Sequence, residues 1–108
     1  MNSGDMMDKE QILGNVKAEI CRIFPSAKVI LYGSRIRGDN TEYSDWDFLI
    51  LLEERISDIE KTELIDKLYD LELNIDQVFS PIIHNIVEWE GLEETPFYQH
   101  VLREGKAI

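Results

Sequence analysis

Asp45 and Asp47 stand two apart at the opening of an apolar run, residues 46–52. Side chains two apart on a β-strand leave the same face, so both carboxylates project together while Trp46 and Phe48 turn to the other side. Two like charges this close are costly unless a cation lies between them, and hard oxygen ligands suit Mg²⁺ or Mn²⁺ rather than zinc. A third carboxylate, Asp76, is set among Leu73, Ile75, Val78 and Phe79, where burial without a partner would be expensive. If that segment lies beside residues 46–52, the three acids form the usual ligand supply of a two-metal site, with the ions about 3.5–4 Å apart.

Upstream, Leu31-Tyr32-Gly33-Ser34 runs into Arg35-Ile36-Arg37-Gly38. A strand that ends in Gly-Ser before a short helix presents unpaired N–H groups and the positive end of a dipole, a setting for phosphate. Gly33 permits close approach to the backbone, Ser34 offers a hydroxyl, and Arg35 or Arg37 offers charge. Alone, each feature has a plain structural explanation: a strand-to-turn transition, a water-facing strand end, and a hydrogen-bonded or salt-bridged aspartate. It is the three in this order that point to phosphate chemistry.

The flanking patterns say which elements carry these groups. Over residues 8–24 the apolar positions Ile12, Val16, Ile20 and Phe24 recur every fourth residue, with Leu13 and Ile23 beside them. That is an amphipathic helix, ended by Pro25. Residues 28–32 read as a β-strand stopped by Gly33-Ser34, and 46–52 as a central strand covered on both faces. Ser57 with Glu60 forms a candidate capping box for a helix burying Ile59, Leu64, Ile65, Leu68 and Leu71. Residues 73–79 read as a third strand closed by Pro81, followed by a short helix over 82–89. Thr95 and Pro96 open a last helix that carries Phe97, Val101 and Leu102 and ends at Gly105; residues 106–108 can add an edge strand. The expected fold is α/β, a small mixed sheet flanked by helices.

The chain has 108 residues, the size of one domain. Its 22 acidic residues against 11 basic ones give a net charge of −11, which repels a phosphate backbone, so free nucleic acid is not an expected partner. No apolar run approaches the ~20 residues needed to span a bilayer. The opening residues carry neither a basic nor an apolar leader signature. Cys21 is the single cysteine, so no intrachain disulfide and no thiolate cluster can form. These features fit a cytoplasmic setting.

Gly33-Ser34, ten intervening residues and Asp45-x-Asp47 resemble the Gly-Ser-x10-Asp-x-Asp signature of the DNA polymerase β-like nucleotidyltransferases. The stretches Gly33-Ser34-Arg35-Ile36-Arg37-Gly38 and Ser44-Asp45-Trp46-Asp47-Phe48 resemble its minimal nucleotidyltransferase (MNT) branch, and Asp76 falls where that family carries its third acid. Similarity runs over residues 28–80, and the 95–105 tail resembles the family's closing helix. Trp46 and Phe48 are bulkier than is usual there, and Gln77 replaces a commoner aliphatic residue.

The resemblance implies a polymerase β-like nucleotidyltransferase fold and transfer of a nucleoside monophosphate, AMP from ATP, to an acceptor hydroxyl. Two Mg²⁺ ions, or Mn²⁺, would be held by Asp45, Asp47 and Asp76, with Asp76 receiving the acceptor's proton. Gly33 and Ser34 would hold phosphates, and Arg35 or Arg37 would neutralise the departing pyrophosphate. Small members of the branch are often antitoxins paired with a HEPN-type toxin, and active ones modify a tyrosine of that toxin. Two alternatives stand beside this: a module that neutralises its partner by contact alone, and a small-molecule nucleotidyltransferase. His84 and His100 lie sixteen apart without a third ligand and are read as surface or helix residues; Cys21 is read as a small core residue.

Overall fold

The structure, a computed structural model, describes residues 7–108; the first six, on which the leader reading falls, lie outside the described residues. Helix α1, Lys9–Ile23, opens on a capping box in which the Asp8 side chain accepts from the Gln11 N–H and the Gln11 side chain from the Asp8 N–H. It buries Ile12, Val16 and Ile20, as the fourfold spacing requires. Strand β1, Lys28–Tyr32, leads into the single turn α2, Ser34–Arg37, and after a polar loop into β2, Trp46–Leu52. Helix α3, Asp58–Ile75, carries the expected Ser57–Glu60 capping box. Strand β3, Phe79–Asn85, is followed by α4, Ile86–Glu90, α5, Pro96–Glu104, and the short β4, Lys106–Ala107.

The four strands lie in the order β3-β2-β1-β4. β1 runs antiparallel to β2 and β4, and β2 runs parallel to β3, the crossover being supplied by α3. Alternate side chains of β2 feed two cores. Trp46, Phe48, Ile50 and Leu52 join Val29 and Leu31 against the apolar stripes of α1 and α3. Leu49 and Leu51 join Tyr32, Trp89 and Val101 against α4 and α5. A strand buried on both faces accounts for the unbroken apolar run over 46–52.

The chain departs from the expected elements after Leu71. Residues 73–75 are helix, not strand, and the strand starts at Phe79 and runs through Pro81. The stripe Leu64, Leu68, Leu71, Ile75 keeps its helical spacing against the α1/α3 core, and this longer period overrides the β-rich composition of a short window. Pro81 fits because β3 is an edge strand, whose outward positions need no N–H donor. Residues 82–85 accordingly belong to β3, leaving only 86–90 helical. Within α3, Ile59 is 72% and Ile65 42% exposed; both lie off the buried stripe.

Candidate active site

The parity of β2 decides which way its acids point. Because Trp46 and Phe48 enter the α1/α3 core, Asp47 shares the opposite face with Leu49 and Leu51, and Asp45 two residues earlier follows it. Asp47 is half-buried and pairs in register with Tyr32 of β1 and Ser80 of β3. The Ser80 hydroxyl donates to Asp45 Oδ2 at 2.8 Å. Burial, then the neighbouring Asp45 charge, raises the Asp47 carboxyl above its usual range; Arg37 opposes the rise and Glu104 adds to it. Two carboxylates crowded in this way, with hard oxygens on one face, fit a divalent cation such as Mg²⁺. Tyr32, its hydroxyl pushed up to about 12 by burial and by Asp47, forms a neutral wall beside them.

The turn after β1 is shaped around Asp47. Gly33 caps α2 with φ 82°, a region that disfavours other residues. A Cβ there would overlap Asp47 Oδ2 and meet Cγ at 3.0 Å. Gly33 thus brings the loop against the Asp47 carboxylate. The N–H groups of Ser34 and Arg35, at the start of α2, have no helical acceptor.

Glu104, at the end of α5, ties this turn to the far end of the chain. Its Oε1 accepts from the Gly33 N–H at 2.9 Å and from Arg37 Nη1 at 3.1 Å, and it lies 2.7 Å from His100 Nε2. Burial would raise the Glu104 carboxyl, but the Gly33 N–H and the Arg37 and His100 charges together hold it below its usual range. Arg37 also donates to Asp39 at 3.2 Å.

Of the two candidate arginines, only Arg37 is therefore beside the acids. Arg35 lies over the Trp46 ring, 4.4 Å from its centroid, and donates to the Ser44 carbonyl at 2.8 Å, with Nε buried and unpartnered. Since Trp46 faces the α1/α3 core, Arg35 braces the 38–44 loop from the other side of the sheet. Asp76 is likewise not drawn to the pair. It is the exposed C-cap of α3 in the left-handed conformation, φ 55°. Among the described residues no three or more His, Cys, Asp or Glu side chains are grouped to hold a metal.

Three residues near the acids carry no signal in the sequence. Ser80 reaches Asp45 only through strand pairing. Glu104 meets Gly33 across 71 positions. Glu72, in the last turn of α3, has its carboxyl raised by burial, with the Phe79 N–H opposing the rise and Asp45 adding to it. His84 lies beside Trp89, 6.2 Å between ring centroids, and Cys21 is half-buried with Sγ 3.9 Å from the Ala27 carbonyl. No helix among the described residues is long and apolar enough to cross a membrane.

The chain is similar to known proteins in sequence and in fold. "Putative protein adenylyltransferase MJ0126" of Methanocaldococcus jannaschii is 33% identical over 82% of this chain and 92% of its own length. "Putative protein adenylyltransferase MJ0141" of the same organism is 38% identical over 72% of this chain and 81% of its own. Among solved structures, a tri-AMPylated Shewanella oneidensis HEPN toxin in complex with MNT antitoxin matches with TM-score 0.62 at 19% identity, over 93% of this chain and 71% of that one. A toxin–antitoxin with AMP-PNP matches with TM-score 0.60 at 19% identity, over 93% and 72%; at such identities the likeness establishes the fold. The profile of the family described as nucleotidyltransferase domain matches residues 13–106, and the chain belongs to that family.

Proposed function

We propose that this chain, a single nucleotidyltransferase domain working in the cytoplasm, transfers AMP from ATP to a tyrosine of a HEPN-type toxin and so acts as its antitoxin. The observation that carries the reading is the packing of Asp47 against Gly33, which puts a carboxylate pair at the mouth of a phosphate-suited turn. The names of its Methanocaldococcus relatives and the AMPylated toxin complex of its structural neighbour support the acceptor and the role.

Asp45 and Asp47 would hold Mg²⁺ or Mn²⁺. Such an ion, when bound, neutralises phosphate charge and lowers the pKa of an acceptor hydroxyl. The Ser34 hydroxyl and the first N–H groups of α2 bind phosphate oxygens, and Arg37 offsets charge on the leaving pyrophosphate. Arg37 is shared with Glu104 and Asp39, so the triphosphate competes with two carboxylates of the chain for it. Net charge −11 and the exposed Ile65, Tyr69 and Leu73 on α3 suit a docking protein as the acceptor's carrier.

The test incubates the full chain with Mg²⁺, α-labelled ATP and the HEPN-type protein co-expressed with it. Label on a tyrosine of that protein, absent with Asp47→Asn, is expected. Equal labelling by the variant overturns the site assignment. Retained neutralisation by an Asp45→Asn/Asp47→Asn double variant means that contact alone serves.

A further inference from the structure

We propose that the chain holds a single divalent cation, on Asp45 and Asp47, because Ser80 occupies the position from which a third carboxylate would have held a second. The proposal rests on the reading of the aspartate pair as the cation site. In the parallel β2–β3 pairing Ser80 lies directly beside Asp47, and neighbouring strands are only about 4.8 Å apart. Phe79 enters the α1/α3 core, so residue 80 projects to the face of the acids. Its hydroxyl donates to Asp45 Oδ2 at 2.8 Å. It is thus the residue of β3 that both pairs with Asp47 and bonds to Asp45.

Serine brings no charge to that position. Among the described residues on this face only Asp45 and Asp47 offer carboxylates to a cation, and Arg37 already offsets part of the field at Asp47. A Mg²⁺-type ion gives up its water reluctantly and takes carboxylates in exchange. A neutral hydroxyl already donating to Asp45 is a poor inducement. Nor do the nearby acids make good the lack: Asp76 is exposed at the end of α3, and among the described residues no third carboxylate is grouped with the pair. The same absence removes a carboxylate base from beside the acceptor. The site therefore favours an acceptor that is itself weakly acidic, such as a phenol of pKa about 10, over an aliphatic alcohol.

Equilibrium dialysis of Mn²⁺ against the full chain, with a non-hydrolysable ATP analogue saturating on both sides, counts the bound ions; electron paramagnetic resonance reports whether they are coupled in pairs. One uncoupled Mn²⁺ per chain is expected, rising to a coupled pair in Ser80→Asp and staying at one in Asp76→Asn. Two ions in the unmodified chain overturn the proposal while leaving the aspartate site standing, whereas no ion overturns both. A drop to one ion in Asp76→Asn from two would return the third ligand to Asp76. Ser80→Asp that folds and still binds one ion overturns the assignment of position 80.

Discussion

The Gly33 N–H donates to the carboxylate of Glu104 at 2.9 Å, joining the first turn after β1 to the last turn of α5 across 71 positions. An anion of the chain itself thus sits on the loop that is suited to phosphate, and the same oxygen also meets Arg37 and His100. Loop position, arginine position and the docking of α5 are therefore coupled through one side chain.

Removing that charge tests the coupling. Because the Glu104 carboxyl lies below its usual value of 4.5 when folded, its contribution to stability is present above that pH. It is lost as pH falls through the lower folded value. Glu104→Gln should melt lower than the unmodified chain at pH 7, by about 1–2 kcal/mol. The gap should narrow as pH falls below 4.5 and close once it passes the lower folded value, as followed by thermal melts across pH. A gap independent of pH would mean that only shape matters at position 104.

Gly33→Ala has two separate faults: an unfavourable φ of 82° and a Cβ that overlaps the Asp47 carboxylate. Loss of about 2–3 kcal/mol is expected, with nucleotide affinity falling at least tenfold. Isothermal titration with ATP and melting together report both effects. Near-normal affinity in a folded variant would show that the loop does not need to touch Asp47.

Asp47→Asn should stabilise the protein while abolishing transfer. The folded carboxyl is raised, so its ionisation opposes folding as pH rises past the unfolded value, and neutralising it removes that opposition. A midpoint higher by roughly 2–5 °C at pH 7 is expected. Added Mn²⁺ should stabilise the unmodified chain and not the variant. A lower midpoint would contradict the crowded-carboxylate account.

The two arginines should separate cleanly. Arg35→Ala removes the stack on Trp46 and the bond to Ser44, so it should lower the midpoint and leave the KM for ATP nearly unchanged. Arg37→Ala should raise KM severalfold and, through the lost bond to Glu104, lower the midpoint less than Arg35→Ala does. An inverted pattern would return Arg35 to the nucleotide.

Asp76→Gly relieves a left-handed residue, φ 55°, and removes an acid from the negative end of α3. A midpoint raised by roughly 1–3 °C with activity intact is expected. A hundredfold loss of activity would make Asp76 a ligand after all.

Much of this protein is written in local pattern. The Ile12, Val16, Ile20 spacing, the Ser57–Glu60 capping box, the apolar run over 46–52 and the two-residue spacing of Asp45 and Asp47 each depend on neighbours within a turn or a pleat, and each is found as expected. What lay beyond reach depends on pairing. Whether residues 73–75 are strand or helix turns on whether the stripe of α3 continues into the core. Which side chain stands beside Asp47 turns on the register of β3, where a shift of a single residue exchanges faces. Arg35 and Arg37 look alike in sequence, and only the side of the sheet on which Trp46 lies separates them. Contacts between distant segments, such as Gly33 with Glu104, have no local signature, because burial and packing of the whole chain bring them together.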